Sequence, residues 1–423
     1  MRIRLTVVAA AAVLCTAVLS LAGCEGILGL GSLTDAPPDA SSDGSASSSA
    51  SDSSTGSNQD HNAPAVTDGA AADSTTGEEG GSADAGPGPV PDGSAVDSSP
   101  GNCPTACPVK TNLNNPWAVT SDANRVYWVE FGSDQGTLDG VVASCPLAGC
   151  DSGEIVYSST QLNPRGIAVD GTNVYWTGAS YGASNGGIFT CPITGCLGTP
   201  TRLANASIPF GVQVDSTYVY WTDNDDDTVM KIAKTSTNPA ATLAVYDGGT
   251  DVIIEPAACV IDGTSIYVGD FNGGVYKMPL GGGEPVTFNS AEQGGQFGLT
   301  LDTTNLYYGQ PGAIYSTLKS SAAAGVTIAS DVYWPQGLAI DSTTGFVYWA
   351  NAGSATLNVD DGTVGRVLVD GGSEKILASG QATSRSVTVG GNSIFWVNLG
   401  TYVSDQSYLG TTAKTGSLYR VNK

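Results

Sequence analysis

Seven equivalent positions, spaced 40 to 48 residues apart, carry Glu130, Gly178, Asp223, Asp270, Gln310, Asn351 and Asn398. Six of these seven side chains end in oxygen, and a ring of oxygen donors suits a hard divalent cation such as Ca2+. A second pattern competes with that reading. The repeats holding Asp223, Asp270, Asn351 and Asn398 also carry Lys231, Lys277, Arg366 and Arg420. The other three have Ser144, Thr190 and Ser316 at that place. The correlation predicts polar pairs inside each repeat, Asp223 with Lys231 for instance, in place of a metal ring. The run Asp223-Asn224-Asp225-Asp226-Asp227 is a denser oxygen cluster, but it lacks the spacing and terminal Glu of an EF-hand loop and reads as a solvated acidic turn. The single histidine, His61, lies in low-complexity sequence, which removes histidine acid–base chemistry and His-ligated metals from the folded part. No catalytic residue, metal ligand or cofactor is assigned.

The elements that position these residues repeat with them. Val126-Tyr127-Trp128, Val174-Tyr175-Trp176, Val219-Tyr220-Trp221, Ile266-Tyr267-Val268, Leu306-Tyr307-Tyr308, Val347-Tyr348-Trp349 and Ile394-Phe395-Trp396 each read as a short strand of β-branched and aromatic residues. A Gly- or Ala-containing strand precedes each one, as in Pro209-Phe210-Gly211-Val212-Gln213-Val214-Asp215, followed by hairpin-turn residues such as Ser216-Thr217. A period of this length with four strands per unit predicts propeller blades. Repeats start near residues 116, 164, 209, 256, 296, 335 and 384. The last repeat ends at its third strand, Ser417 to Val421, and Pro108-Val109-Lys110-Thr111 stands before the first. That N-terminal segment is expected to complete the last blade, closing the ring without a free sheet edge. The fold class predicted for residues 103–423 is therefore all-β: a seven-bladed β-propeller of four-stranded antiparallel blades, closed by an N-terminal strand and preceded by a disordered linker.

Val219-Tyr220-Trp221-Thr222-Asp223 resembles the YWTD repeats of low-density-lipoprotein-receptor-type propellers. The inner strand Pro209 to Asp215 is similar to those of NHL and SMP-30-type propellers. The likeness covers roughly residues 105–423 and implies the fold; such folds host ligand binders, lactonases and scaffolds alike. The receptor-type propellers have six blades and this chain counts seven.

Residues 1–23 read as a signal peptide, with Arg2 and Arg4 ahead of an apolar run from Leu5 to Leu21. Leu21-Ala22-Gly23-Cys24 resembles the bacterial lipobox, which implies lipidation of Cys24, cleavage before it and a membrane anchor. Glu25 stands where an inner-membrane retention Asp is common, which points towards the outer membrane or cell surface. Residues 24–102 are rich in Ser, Asp, Gly and Ala and cannot bury enough apolar surface to fold, so a disordered acidic tether is expected. Its end-to-end distance is on the order of 45 Å. The chain's 40 acidic against 16 basic residues, a net charge of −24, argue against nucleic-acid binding and fit a soluble extracytoplasmic monomer.

Cys145 with Cys150 and Cys191 with Cys196 stand at the same turn of repeats one and two, where repeat four has Met278 and Gly283. Short disulfides, Cys145–Cys150 and Cys191–Cys196, are expected in an oxidising compartment, with Cys103–Cys107 as a third. Zinc is the rival reading, and it lacks further ligands nearby. Cys259 is left as a buried thiol on an inner strand.

Ligand-binding candidates sit where the chain enters each inner strand, at one mouth of the channel: Trp117, Arg165, Phe210, Phe297, Trp334, Gln336 and Arg385. The loops between second and third strands share that end and add Phe131, Tyr181, Tyr402 and Tyr408. These loops are long in blades six, seven, one and two, so the mouth should be lopsided. Aromatics with a few Arg and amides suit a peptide, glycan or protein; equally, they plug the channel. The function expected is a membrane-anchored, extracytoplasmic, non-enzymatic binding or scaffold module in the cell envelope, for an envelope protein or glycan. The alternative is a metal-dependent SMP-30-like hydrolase or lactonase. Its oxygen cage is poorly supplied here, with Glu255 the only carboxylate close to that layer.

Overall fold

The computed structural model describes residues 103–180, 185–238, 243–246, 253, 255–289, 298–321, 323–353, 360–400 and 415–423. The signal segment, Cys24 and the tether lie outside them, as do Tyr181, Phe297, Tyr402 and Tyr408.

The described strands form seven four-stranded antiparallel sheets, six of them meanders of consecutive strands and the seventh joining three C-terminal strands to one from the N-terminus. Blade one runs Pro116–Ser121, Arg125–Glu130, Gly140–Pro146 and Ile155–Gln161. Blades two to six open on Pro164–Val169, Pro209–Val214, Pro256–Ile261, Leu299–Leu301 and Pro335–Asp341. Blade seven takes Ser384–Gly390, Ser393–Asn398 and Gly416–Asn422 from the C-terminus and Cys107–Leu113 from the N-terminus. Lys110 pairs with Leu418 and Leu113 with Gly416, so the N-terminal strand supplies the fourth place as expected. Each inner strand packs against the next, and the ring closes where blade seven meets blade one.

Adjacent side chains on a strand point to opposite faces, and this explains the Tyr-Trp pair. Tyr220 packs towards blade four, with Cys259, Ile266 and Val268. Trp221 packs towards blade two, with Ala168, Tyr175 and Ile188. The rule repeats: Tyr127 meets Trp176, Tyr348 meets Trp396, and Phe395 meets Trp128 across the closure. Every second strand is buried on both faces and so reads as a continuous apolar run instead of an alternating one. Small residues let the inner strands approach at the axis: a Cβ on Gly337 would lie 2.8 Å from the Arg385 carbonyl oxygen and the Ser386 Cα.

The hairpin turns are held by a repeated carboxylate clamp. Asp215 Oδ1 accepts from the Thr217 and Tyr218 amides at 2.6 Å each, and its Oδ2 accepts from the Tyr220 hydroxyl at 2.8 Å. Asp122 with Tyr127, Asp170 with Tyr175, Asp262 with Tyr267 and Asp302 with Tyr307 repeat the hydroxyl contact. Lysines at the turns after third strands then tie one blade to the one before it. Lys234 pairs with Asp170, Lys319 with Asp262 and Lys423 with Asp341.

Two expectations are corrected. Asp223 does not pair with Lys231. The register sets Asp223 against Thr228 and Lys231 against Tyr220, so the two are three steps, about 10 Å, apart along the ladder. Asp223 instead accepts from the Ser207 and Ile208 amides at 2.8 and 2.9 Å, while Lys231 donates to the Leu280 carbonyl of the next blade. Disulfides join Cys145 to Cys150 and Cys191 to Cys196, with Cα–Cα distances of 5.1 and 5.7 Å. Cys103 and Cys107 are thiols and do not form the third bond. The Cys103 sulfur accepts from Arg420 Nε at 3.3 Å, and the Cys107 thiol donates to the Thr105 carbonyl at 3.3 Å. Each thiol is thus turned towards another partner.

Candidate functional site

The loops that enter inner strands and the loops joining second to third strands emerge at the same end of the ring. At that end the chain repeats one local device. The residue before the inner strand takes a left-handed conformation at Asn115, Asn163, Glu255, Trp334 and Thr383, with φ of 53, 37, 53, 46 and 58°. Asn is among the non-glycine residues that tolerate this region best. A β-bulge then falls at the second residue of the strand, between Pro116 and Ala118 in blade one and between Ser384 and Ser386 in blade seven. Blades two, three, four and six break register at the same step. A bulge frees its residue from the ladder and re-aims the side chain. The residues so treated are Trp117, Arg165, Phe210, Ala257, Gln336 and Arg385.

Four of them come together. The Arg385 guanidinium lies 3.4 Å from the centroid of the Trp117 ring. The Arg165 guanidinium lies 3.9 Å from the Phe210 ring and 5.1 Å from Trp117. Phe131, from the second-to-third-strand loop of blade one, packs 5.1 Å from Trp117 and 5.5 Å from Arg165. Phe271 meets Phe210 edge-on at 5.3 Å. The cluster therefore has a buried inner part, Arg165, Phe210 and Phe131, and a partly exposed outer part, Trp117, Arg385 and Phe271. Gln336 is half-buried in blade six and, among the described residues, makes no hydrogen bond to this cluster.

Neighbouring backbone holds the cluster in place. Asn163 Nδ2 donates to the Phe131 and Asp134 carbonyls at 3.1 and 2.8 Å, and its Oδ1 accepts from the Gly136 amide at 2.7 Å. This fixes the blade-one loop and with it the Phe131 ring. Electrostatically the cluster is cationic. Burial, and then the like charge of Arg385, press the Arg165 pKa well below its ordinary range. Arginine nevertheless stays protonated in proteins, so the site keeps two positive charges in a low-dielectric setting. Cation–π attraction to the surrounding rings offsets part of that repulsion, by about 0.5–2 kcal/mol for each good contact.

The acidic run beside this mouth has structural partners. Asp225 accepts from the Ser207 hydroxyl at 2.8 Å and Asp227 from the Glu255 amide at 2.7 Å. Burial, opposed by the Ser207 and Ile208 amides and aided by Asp226 and Asp225, raises Asp223 to about 6. Among the described residues no group of three or more His, Cys, Asp or Glu is placed to hold a metal ion. Burial pushes the Cys259 thiol up to about 12, so it is not a thiolate near neutral pH.

Sequence reasoning missed the bulge, the Asn163 anchor and the choice of partners within the mouth. The bulge had a visible signal: a bulky or charged residue directly after Pro at the start of otherwise small-residue strands.

No protein-family model and no curated protein sequence matches the chain. Solved structures do. The nidogen/laminin complex aligns with TM-score 0.46 and 16 % identity, over 63 % of this chain and 97 % of that one. The computationally designed Ika8 protein aligns with TM-score 0.49 and 13 % identity, over 76 % and 100 %. The WD40 β-propeller domain of Doa1 aligns with TM-score 0.51 and 14 % identity, over 75 % of this chain and 95 % of that domain. At 14 % identity the likeness to the Doa1 domain is one of fold, and that fold is a β-propeller.

Proposed function

We propose that the chain is a lipid-anchored protein of the cell envelope. Its propeller binds a protein or glycan partner at the arginine–aromatic mouth and catalyses no reaction. The observation that carries this reading is the set of side chains at the bulged positions. Trp117, Arg165, Phe210 and Arg385 supply rings and guanidiniums, where metal-dependent propeller hydrolysis needs convergent oxygen donors. Lipidation at Cys24 supplies the anchor, and the two short disulfides suit an exported protein.

Both halves have a direct test. Cys24→Ala in the full chain is expected to move the protein from the membrane to the soluble fraction; retention in the membrane overturns the anchor. Metal analysis of the purified protein is expected to find no stoichiometric ion. A chelator-removable divalent ion, lost together with hydrolysis of lactone substrates, overturns the binding role.

A further inference from the structure

The seam between blades six and seven departs from a rule that three other blades keep. On their third strands, Lys231, Lys277 and Arg420 each reach across to the next blade and donate to a carbonyl where its third strand ends. Lys277 Nζ meets the Lys319 carbonyl at 2.7 Å, and Arg420 Nη1 meets those of Leu147 and Ala148 at 2.8 and 3.0 Å. Arg366 holds the same place in blade six, opposite Tyr348. The blade-seven counterpart of Lys319 is Lys423, whose amide donates to the Asn392 carbonyl as that of Lys319 does to Thr304. No turn joins it to a fourth strand, because that strand is Cys107–Leu113. Arg366 Nε is buried with no hydrogen-bond partner. Tyr348, its neighbour across the ladder, is left in the same state. In blades one to five the equivalent tyrosine donates to the Asp of the hairpin turn. In blade six Asp341 Oδ2 takes Lys423 at 2.7 Å, and the hydroxyl of the wholly buried Tyr348 has no partner.

A buried donor without a partner costs stability, and most buried polar groups have one. Two such donors side by side on one face define a place for an acceptor. Phe346, two residues before Tyr348, shares that face, and the Arg366 guanidinium lies over its ring at 4.3 Å from the centroid. The ring covers a face of the guanidinium and leaves the donors in its plane. Nε and the adjoining Nη then form one edge, a fork that a carboxylate matches with both oxygens. Arg366 is half-buried and its Nε wholly so, which restricts the acceptor to a small one. We propose that this seam is a binding site for a small organic carboxylate, held by the Arg366 fork and the Tyr348 hydroxyl. The occupant takes the place of the turn carbonyl that a split blade does not supply. The site lies at the end of the ring opposite the arginine–aromatic mouth and does not depend on the binding role proposed there.

The test uses the full chain in detergent, with sodium acetate as the probe and sodium chloride and sodium phosphate at matched ionic strength as comparisons. Calorimetry is expected to find one saturable acetate site with a Kd on the order of a millimolar, the scale open to a ligand of so few atoms. Acetate should raise the melting temperature where chloride does not, because it binds the folded chain alone. Arg366→Met should abolish the site. Arg366→Lys should weaken it roughly tenfold, since it keeps the charge and loses the planar fork. Tyr348→Phe should also weaken acetate by about tenfold, the scale of a hydrogen bond to a charged group. The same variant should leave the acetate-free protein at least as stable as wild type, because it removes an unpaired buried hydroxyl. A hydroxyl with a purely structural role would give the opposite pair of results. No saturable acetate binding, equal effects of acetate and chloride, or tighter binding of phosphate overturns the proposal. So does a folded Arg366→Met protein that binds as wild type, or a Tyr348→Phe protein that is less stable without acetate. Should Arg366→Met fail to fold, Tyr348→Phe, which removes one oxygen, decides the question by itself.

Discussion

Asp262→Asn is the sharpest probe of how the blades are held together. Asp262 accepts from the Thr264 and Ser265 amides at 2.9 and 2.8 Å, from the Tyr267 hydroxyl at 3.2 Å, and pairs with Lys319 of the next blade at 3.3 Å. Burial by itself would raise its pKa. The Thr264 and Ser265 amides, the Thr264 hydroxyl and Lys319 outweigh that and hold it down, at about 2 against an ordinary 3.8. The side chain is 19 % exposed, so solvent screening is limited. A depression of that size corresponds to about 2 kcal/mol of folding stability. Because the folded pKa is lowered, this stability is fully present above about pH 4 and is lost as pH falls towards 2. Asn keeps one acceptor oxygen but turns an amide donor towards Tyr267 and the Lys319 ammonium. Reversible urea unfolding at pH 7 should therefore show a deficit of about 2–3 kcal/mol. The deficit should narrow steadily between pH 4 and 2, where wild type loses the same charge. The comparison isolates Asp262, since the clamps at Asp170, Asp215, Asp302 and Asp341 are common to both proteins. A deficit that stays constant with pH, or no deficit at pH 7, refutes the clamp.

Further outcomes follow from other contacts. Replacing Cys145 and Cys150 by Ser should cost about 2 kcal/mol in urea unfolding, the chain-entropy value for so short a loop, without loss of the blade. The turn of blade four, closed by a hydrogen bond of 3.0 Å from the Gly282 amide to the Pro279 carbonyl, already forms without sulfur. Carboxyl carbon NMR should find Asp223 titrating near 6, and Asp226→Asn should lower that value by removing a neighbouring charge. Since the folded pKa of Asp223 is raised, its contribution to stability falls as pH climbs from about 4 through 6, and the variant should flatten that slope. Gly337→Ala should destabilise by about 1–3 kcal/mol, because its Cβ would meet the backbone of blade seven and that backbone cannot move aside. A melting temperature equal to wild type would show that the inner strands have room to spare.

The fold was legible because the aromatic strand has to satisfy two interfaces at once. A Tyr and a Trp in succession, buried on opposite faces, leave a pattern that no half-exposed strand needs. Closure was legible for a related reason, since an unpaired third strand at one end and a spare strand at the other imply each other. Side-chain partners were less so. Asp223 and Lys231 co-occur in their repeats, but antiparallel pairing sets them about three residues apart, and each serves a backbone group of a different loop. Co-occurrence within a period reports a shared repeat, not contact. At the mouth, residue type could be read at Trp117, Arg165, Phe210 and Arg385, because a large side chain is out of place on a crowded inner strand. Which of them would touch could not, because that depends on how far each bulge turns its side chain and on loops whose lengths follow no period.

The closing strand of blade seven gives the molecule a mechanical polarity. The chain enters the propeller at Cys103, whose backbone exchanges hydrogen bonds with Asn422 at 2.9 and 3.3 Å and whose sulfur meets Arg420. The strand that follows is the outermost of its blade, paired along one edge with Gly416–Asn422. A pull on the segment before Cys103 is thus delivered first to the seam where the two ends of the chain are joined, and not to any blade made from a single stretch of sequence. Loaded from its end, an edge strand peels bond by bond, and once it is gone the ring has lost its fastening. The Cys103, Asn422 and Arg420 contacts stand in front of that seam and take the first share of any load.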